Sequence, residues 1–215
     1  MSAAILVGTA LAQSDTAQLE PVVVIATRTP ADIRTLGSAV DQVSSDDLSR
    51  QQIDTLAGAL GGIPGTPMFA NGAQGSNISI FTRGANSDQT LFMVDGIRLN
   101  DANTDYAVFL GGARLGATDS IEIARGPQST LYGSEAVGGV ISIQAQKGAG
   151  APTDDFSLEA GSFGTVQGTI SGQGAQDQWA WSVTGSGSYT SNQRQNNDFT
   201  SDDLVLRLDR DINSV

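Results

Sequence analysis

The last third of the chain alternates apolar and polar residues one by one, which strongly limits how it can fold. In QWAWSVTGSGSYT, Trp179, Trp181, Val183 and Tyr189 share one parity, while small and mostly polar residues share the other. The same alternation recurs in DFSLEAG, TVQGTISG and DLVLRLD. Because successive side chains of a strand point to opposite faces, these stretches predict a sheet with one apolar and one small polar face.

Two architectures are compatible with this alternation. A transmembrane β-barrel turns its apolar face to lipid, whereas an antiparallel sandwich turns its polar face to water. The connections favour the barrel, since SFG and GAQDQ suit short periplasmic turns and the polar SNQRQNNDFTSD suits a longer outer loop. Four strands do not close a barrel, because open edges would leave backbone groups unpaired in hydrocarbon. A barrel protein of this length is therefore expected to be a fragment.

The composition excludes several classes of function. The chain has 215 residues, a formal net charge of −12, and neither His nor Cys. Since nucleic-acid-binding proteins cluster Lys and Arg, no nucleic-acid partner is expected. The usual zinc sites, a Ser-His-Asp triad and a cysteine nucleophile all need residues that are missing, so we expect no enzyme. The low charged fraction of 16% suits an extracellular β protein or an outer-membrane barrel better than a cytosolic domain.

The N-terminal residues indicate export. MSAAILVGTALAQ carries an apolar segment that ends in the A-x-A pattern Ala10-Leu11-Ala12, as at a signal-peptide cleavage site. The basic residues that usually precede such a segment are absent. Further on, VVVIATRT lies between Pro21 and Pro30 and predicts an extended segment. This segment is either an ordinary edge strand or a peptide that a partner binds by strand addition.

The middle of the chain predicts a small mixed α+β domain that ends near Lys147. SSDDLSRQQIDTLAGALGGIPG suits one or two short helices, with Ser44 or Ser45 capping the first and Thr55 the second. Short β runs follow between residues 68 and 144, including a tight-turn signal at Asp95-Gly96. The glycine-rich GSEAVGG and GAQGSN lack the Gly-Lys-Ser/Thr ending of a phosphate loop, so nucleotide binding is not expected.

Two long stretches, ISIFTRGANSDQTLFMVDGIRLND and IEIARGPQSTLYGSEAVGGVISI, resemble signature stretches of the TonB-dependent outer-membrane receptors, most closely those of the vitamin B12 (cobalamin) receptor type. LAGALGGIPG resembles a further plug segment, and PVVVIATR resembles the TonB box. The resemblance implies an α+β plug domain followed by the first antiparallel strands of an incomplete outer-membrane β-barrel. It divides the chain into a signal-peptide remnant (1–12), a TonB-box region (13–30), a plug (31–147) and a partial transmembrane β-barrel (148–215).

The same resemblance implies active uptake of cobalamin or a similar large nutrient. The implied partners are the energy-transducing protein TonB, a cobalamin or siderophore-like ligand, and outer-membrane lipid. The implied TonB box comprises Val22, Val23, Val24, Ile25, Ala26 and Thr27. The candidate substrate-binding residues lie in loops expected at the outward end of the plug: Asn71, Gly72, Ala73, Gln74, Gly75, Ser76, Asn77, Asn100, Asp101 and Asn103.

Charged residues give two further expectations. The resemblance places four of them at the interface between plug and barrel: Arg83, Glu122, Arg125 and Glu135. No cofactor is expected, but calcium stays open, because Asp198, Asp202 and Asp203 offer hard oxygen ligands like the Asp-rich outer loops of cobalamin receptors. The alternative for these aspartates is an acidic loop in water. A siderophore receptor and a small secreted β-rich binding module remain alternative functions.

Overall fold

The computed structural model describes residues 22–100, 110–116 and 118–212. They form an α+β domain that extends to about residue 147 and a four-stranded sheet over residues 153–210. The helices are α1 (Ser45–Gln51), α2 (Leu56–Gly61) and α3 (Ser129–Tyr132). The strands are β1 (Val22–Val23), β2 (Ala31–Asp32), β3 (Ala39–Ser44), β4 (Met68–Ala70), β5 (Ile78–Ile80), β6 (Thr90–Val94), β7 (Ile97–Arg98), β8 (Thr118–Arg125), β9 (Gly139–Ala145), β10 (Thr153–Ala160), β11 (Val166–Gln176), β12 (Trp179–Thr190) and β13 (Phe199–Arg210). Within the described ranges, no helix is both long and apolar enough to cross a membrane.

A mixed sheet of order β3-β8-β9-β6-β7 forms the centre of the α+β domain. Strand β9 runs antiparallel to β8 and parallel to β6. Side chains alternate along β8, so Ile121 and Ile123 join a core with α1 and α2, while Ala124 joins a second core on the other face. The second core contains Ile25, Leu91, Met93, Ala124, Tyr132, Ala136 and Val140.

The local signals in the α+β domain are confirmed. Ser44 caps α1, since its hydroxyl accepts a hydrogen bond from the Asp47 N–H at 3.2 Å and the Asp47 carboxylate accepts one from the Ser44 N–H. Hydrogen bonds from the Ser44 side chain, its backbone and Arg50 lower the pKa of Asp47. Thr55 caps α2 by accepting from the Gly58 N–H. Asp95 and Gly96 both have positive φ in the turn between β6 and β7.

The four-stranded sheet has the order β10-β11-β12-β13, and each neighbouring pair is antiparallel. Along β12, Ser182 and Thr184 are buried toward the α+β domain, whereas Trp179 on the other face is 47% exposed. The same face of the sheet exposes Phe156 and Leu206, at 73% and 70%. The predicted alternation is thus confirmed, with the apolar face turned away from the rest of the protein.

One prediction about the connections is wrong. The SFG turn lies at the same end of the sheet as the long polar loop, because the Ser191 N–H donates to the Phe163 carbonyl at 3.1 Å. In an antiparallel sheet successive connections alternate ends, so the first and third connections must share one. Only the turn at Asp177 lies at the opposite end of the sheet, where the Asp211 N–H donates to the Gln178 carbonyl.

Candidate functional site

The predicted TonB box begins as a strand and then turns. Val22 and Val23 in β1 pair with Asp32 and Ala31 in β2. The next residues leave the extended conformation, since the Arg28 N–H donates to the Val24 carbonyl at 2.8 Å. Arg28 has φ 58, in the left-handed region. The prediction of an extended run from Val22 through Thr27 is therefore wrong beyond the first residues.

This N-terminal segment, residues 22–28, docks on the second core of the α+β domain. Val23 and Ile25 are buried at 0% and 2% exposure. One carboxylate oxygen of Glu122 accepts hydrogen bonds from the Val24 N–H at 3.0 Å and the Ile25 N–H at 2.9 Å. The Tyr132 hydroxyl donates to the Ile25 carbonyl at 2.8 Å. Two side chains that lie about a hundred residues away in sequence thus hold the segment.

Tyr132 is the polar centre of this docking site. Its ring packs under the Arg28 guanidinium, which lies 4.9 Å from the ring centroid. Burial raises the pKa of the Tyr132 hydroxyl, and Arg28 opposes this effect. The hydroxyl therefore keeps its proton at neutral pH and remains a donor to Ile25.

Two of the charged residues expected at the plug–barrel interface have partners within the α+β domain. Glu122 is 4% exposed and lies beneath the N-terminal segment. Arg125 forms an ion pair with Asp41 at 2.7 Å and donates to the Pro64 carbonyl at 2.7 Å. Both side chains therefore have hydrogen-bond or ion-pair partners within the α+β domain. A contact between them and further barrel strands stays a prediction.

Of the other two expected interface residues, Glu135 forms an ion pair within the α+β domain and Arg83 is held there through its backbone. Glu135 pairs with Arg98 at 3.5 Å. Arg83 has φ 52, and its N–H donates to the Gly65 carbonyl at 2.9 Å. Its guanidinium lies 3.5 Å from the position that a Cβ on Gly126 would take. For these residues, too, the role at a barrel wall stays a prediction.

Other polar residues connect the α+β domain to the four-stranded sheet. Arg207 on β13 donates to the Asp95 carboxylate at 3.2 Å and to the Ala145 carbonyl at 2.7 Å. On β11, Gln167 accepts a hydrogen bond from Arg114 at 2.9 Å. No local pattern predicts these contacts, because each joins two residues that are more than fifty positions apart in sequence.

Glycines let the two parts approach closely. A Cβ on Gly148 would collide with the backbone carbonyls of Trp181 and Gly174, and a Cβ on Gly75 would collide with the Phe199 ring. The same ring lies 2.9 Å from the position of a Cβ on Gly112. The close approach of main chain and ring therefore requires glycine at these positions.

The predicted substrate loop of residues 71–77 connects β4 to β5 and lies beside the long loop that precedes β13. The Asn71 N–H donates to the Asn77 carbonyl at 3.1 Å and closes the loop. The Asn192 side chain donates to the Gln74 carbonyl at 3.4 Å. An open cavity of about 1040 Å³ lies between the loops, lined by residues 70–76 on one side and mainly by residues 192–199 on the other. Polar amides of both parts of the chain thus face one space.

Asn100, which was also predicted to bind substrate, does not line this cavity. Asn100 accepts a hydrogen bond from the Phe92 N–H at 2.7 Å and donates to the Thr90 carbonyl at 2.9 Å. Its amide is therefore used to complete the edge of β6, and its assignment to the substrate loops has no support in the structure. Asp101 and Asn103 lie outside the described residues.

The three candidate calcium ligands do not come together. Asp202 and Asp203 are neighbours in β13, so their side chains point to opposite faces of the sheet. Asp198 lies in the loop and lines the cavity. In the described part of the chain, no group of three or more acidic side chains is close enough to hold a metal ion. The grouping of these aspartates into one calcium site is therefore wrong for the described structure.

Comparison with known proteins identifies the family. The TonB-dependent Receptor Plug Domain matches residues 32–140. The vitamin B12 transporter BtuB of Vibrio vulnificus (strain CMCP6) is 32% identical over 143 residues, which cover 66% of this chain and 23% of the transporter. The ferripyoverdine receptor of the outer membrane of Pseudomonas aeruginosa superposes with a TM-score of 0.74 at 14% identity, over 90% of this chain and 26% of the receptor. The alcaligin outer-membrane receptor FauA of Bordetella pertussis superposes with a TM-score of 0.73 at 16% identity, over 89% of this chain and 32% of FauA.

These matches confirm the resemblance and the predicted fold class, a plug domain followed by antiparallel strands that do not close. The chain spans about a quarter of the length of the B12 transporter that it matches, so it corresponds to part of such a receptor. With the match to the plug domain covering half of its length, the chain belongs to the family of TonB-dependent receptors.

Proposed function

We propose that the chain is the plug and the first barrel strands of an outer-membrane receptor that imports a large nutrient with energy supplied through TonB. The α+β domain acts as the plug, and the four-stranded sheet is part of the wall around it. The process is transport, and no bond chemistry is involved.

The polarity of the four-stranded sheet carries this proposal. Its exposed face bears large apolar side chains such as Phe156, Leu204 and Leu206, each at least 70% exposed. Its opposite face bears Ser182, Thr184 and Ser188, which are buried toward the α+β domain. In water this arrangement would be inverted, whereas in a bilayer the apolar face lies against lipid and the polar face toward the lumen.

Cobalamin is the favoured ligand class, because the B12 transporter of Vibrio vulnificus is 32% identical over its matched region. The cavity between residues 70–76 and 192–199 supports a large, hydrogen-bonding ligand, since its walls carry several Asn and Gln side chains. A siderophore is the second candidate, because the structures that superpose include the ferripyoverdine receptor. That likeness shows the fold alone.

Uptake separates the two candidates. Cells that lack their own B12 and siderophore receptors would express the receptor that carries this chain, and accumulation of labelled cyanocobalamin and of labelled ferric pyoverdine would be measured. We expect uptake of cyanocobalamin that disappears when TonB is deleted. Uptake of ferric pyoverdine without uptake of cyanocobalamin would show that the ligand is a siderophore. Recovery of the protein outside the outer-membrane fraction would refute the proposed location.

A further inference from the structure

We propose that Glu122 and Tyr132 form a latch that competes with TonB for the same backbone atoms of the N-terminal segment. The inference rests on the proposed function, because it assumes that TonB binds this segment by strand addition. It adds two residues that control access to the segment. The family resemblance alone predicts Glu122 at the barrel wall and predicts no role for Tyr132.

TonB and the latch require the same backbone groups of the segment. A partner strand pairs through N–H and C=O groups of the strand that it joins. Glu122 already accepts from the N–H groups of Val24 and Ile25. Tyr132 already donates to the Ile25 carbonyl. The remaining Val24 carbonyl accepts from the Arg28 N–H. All backbone polar groups of these two central residues are therefore engaged while the latch is closed.

The docked segment also has the wrong conformation for strand addition. Strand addition requires an extended chain, but residues 24–28 form a turn that places Arg28 in the left-handed region. Opening this turn withdraws Ile25 from the second core, where it packs with Leu91, Met93 and Val140. Binding by a partner therefore requires both the loss of the latch bonds and the exposure of apolar surface.

The carboxylate of Glu122 suits a contact that must also open. Glu122 is 4% exposed, and the hydrogen bonds that hold its carboxylate come from backbone amides of the segment. A buried charge costs more than an apolar side chain of similar size, so packing alone does not favour glutamate here. When the segment leaves, the carboxylate becomes open to water, and its hydration offsets part of the lost contacts. The carboxylate thus stabilises the docked segment through hydrogen bonds and lowers the cost of its release through hydration.

TonB binds only molecules in which the latch is open. The apparent affinity therefore equals the intrinsic affinity multiplied by the open fraction. Isothermal titration would compare the full chain in detergent micelles with a free peptide of residues 20–30, each against the purified periplasmic domain of TonB. We expect the peptide to bind more tightly than the chain. Tyr132→Phe, which removes one hydroxyl, should tighten binding by the chain about fivefold. Glu122→Leu, which removes the acceptor for two N–H groups, should tighten it about tenfold or more, up to the peptide limit.

Two control variants separate the latch from general effects on the plug. Glu122→Gln keeps an oxygen that can accept both N–H groups but loses the charge, so its affinity should lie between those of the native chain and of Glu122→Leu. Glu135→Gln changes a carboxylate that pairs with Arg98 and does not touch the segment, so it should leave the affinity unchanged. Hydrogen exchange gives an independent measure, because the Val24 and Ile25 amides should exchange faster in Glu122→Leu than in Glu122→Gln. If Glu122→Leu fails to fold, Tyr132→Phe carries the test.

The outcomes distinguish the latch from the proposed function. If the peptide binds TonB while the chain and all variants bind with the same affinity as the peptide, the latch is refuted and the TonB partnership stands. If Tyr132→Phe and Glu122→Leu weaken binding, the two residues support the bound state, and the inference is also overturned. If the peptide itself does not bind, the TonB partnership fails and the competition with it.

Discussion

The α+β domain and the four-stranded sheet differ in which side chains their strands bury. In the α+β domain, β6 and β8 bury Leu91, Phe92 and Ile121 at no more than 1% exposure. In the four-stranded sheet, Leu204 and Leu206 are 70% exposed, and the small polar residues are buried instead. The difference shows that burial within one chain follows the surroundings of each part. The α+β domain excludes water from its core. The four-stranded sheet instead requires an apolar solvent against its exposed face and close packing of its polar face against the α+β domain.

The strongest test of this comparison removes a large side chain from each region. Phe92→Ala should lower the free energy of unfolding of the chain in detergent micelles by about 3–5 kcal/mol, because loss of the buried ring leaves a cavity in the core that α1 and α2 share with the central sheet. Leu206→Ala removes a side chain that is 70% exposed and should cost far less, since no protein cavity forms. Urea unfolding followed by circular dichroism would measure both. Equal losses would show that the outer face is covered by protein.

A charge on the sheet tests which face meets lipid. Leu206→Arg should destabilise the receptor that carries this chain by about 2–4 kcal/mol in lipid vesicles, because an arginine near the bilayer midplane is poorly solvated. Ser186 lies on the inner face of β12, and Ser186→Arg is the matched control with a much smaller expected cost. Folding titrations in vesicles would give both values. A larger cost for Ser186→Arg would reverse the assignment of the two faces.

The close approach of the two regions can be tested at one glycine. Gly148→Ala should weaken the docking of the α+β domain on the sheet by about 1–3 kcal/mol, because the new methyl group meets the backbone carbonyls of Trp181 and Gly174. Gly37→Ala is the control, since a Cβ there meets no heavy atom within 4 Å. Limited proteolysis of residues 148–152 would report the loosened connection. Equal protection of both variants would contradict the tight fit.

The smallest expected effect is a local one within the α+β domain. Asp47→Asn should cost about 0.5–1 kcal/mol, because it weakens the capping box of α1. Since hydrogen bonds from Ser44 lower the folded-state pKa of Asp47, its contribution is present above the unfolded value near 3.8 and is lost as the pH falls through the lower folded value. Thermal unfolding at pH 7 and below pH 4 would measure this, and the difference between variant and native chain should shrink at the lower pH. If the stability difference between Asp47→Asn and the native chain is the same at both pH values, the ionised Asp47 carboxylate is not its cause.

Local signals predicted much of the fold and less of the candidate site. The caps at Ser44 and Thr55 and the turn at Asp95-Gly96 depend on neighbouring residues, so they could be read from short stretches. The predicted TonB box was different. Its later residues turn because Glu122 and Tyr132 hold Val24 and Ile25 from positions about a hundred residues away. No local pattern in the segment reports such partners.

The family, the position of the α+β domain and the strands with one apolar face can all be predicted from the amino-acid sequence, because motifs and alternation are properties of contiguous residues. Which distant groups contact each other depends on the folded chain. It places Glu122 beneath the N-terminal segment, Arg207 beside Asp95, and the Phe199 ring on Gly75. The physical reason is that hydrogen bonds, ion pairs and steric fit act over a few ångströms, and only the folded chain brings these distant residues within that range.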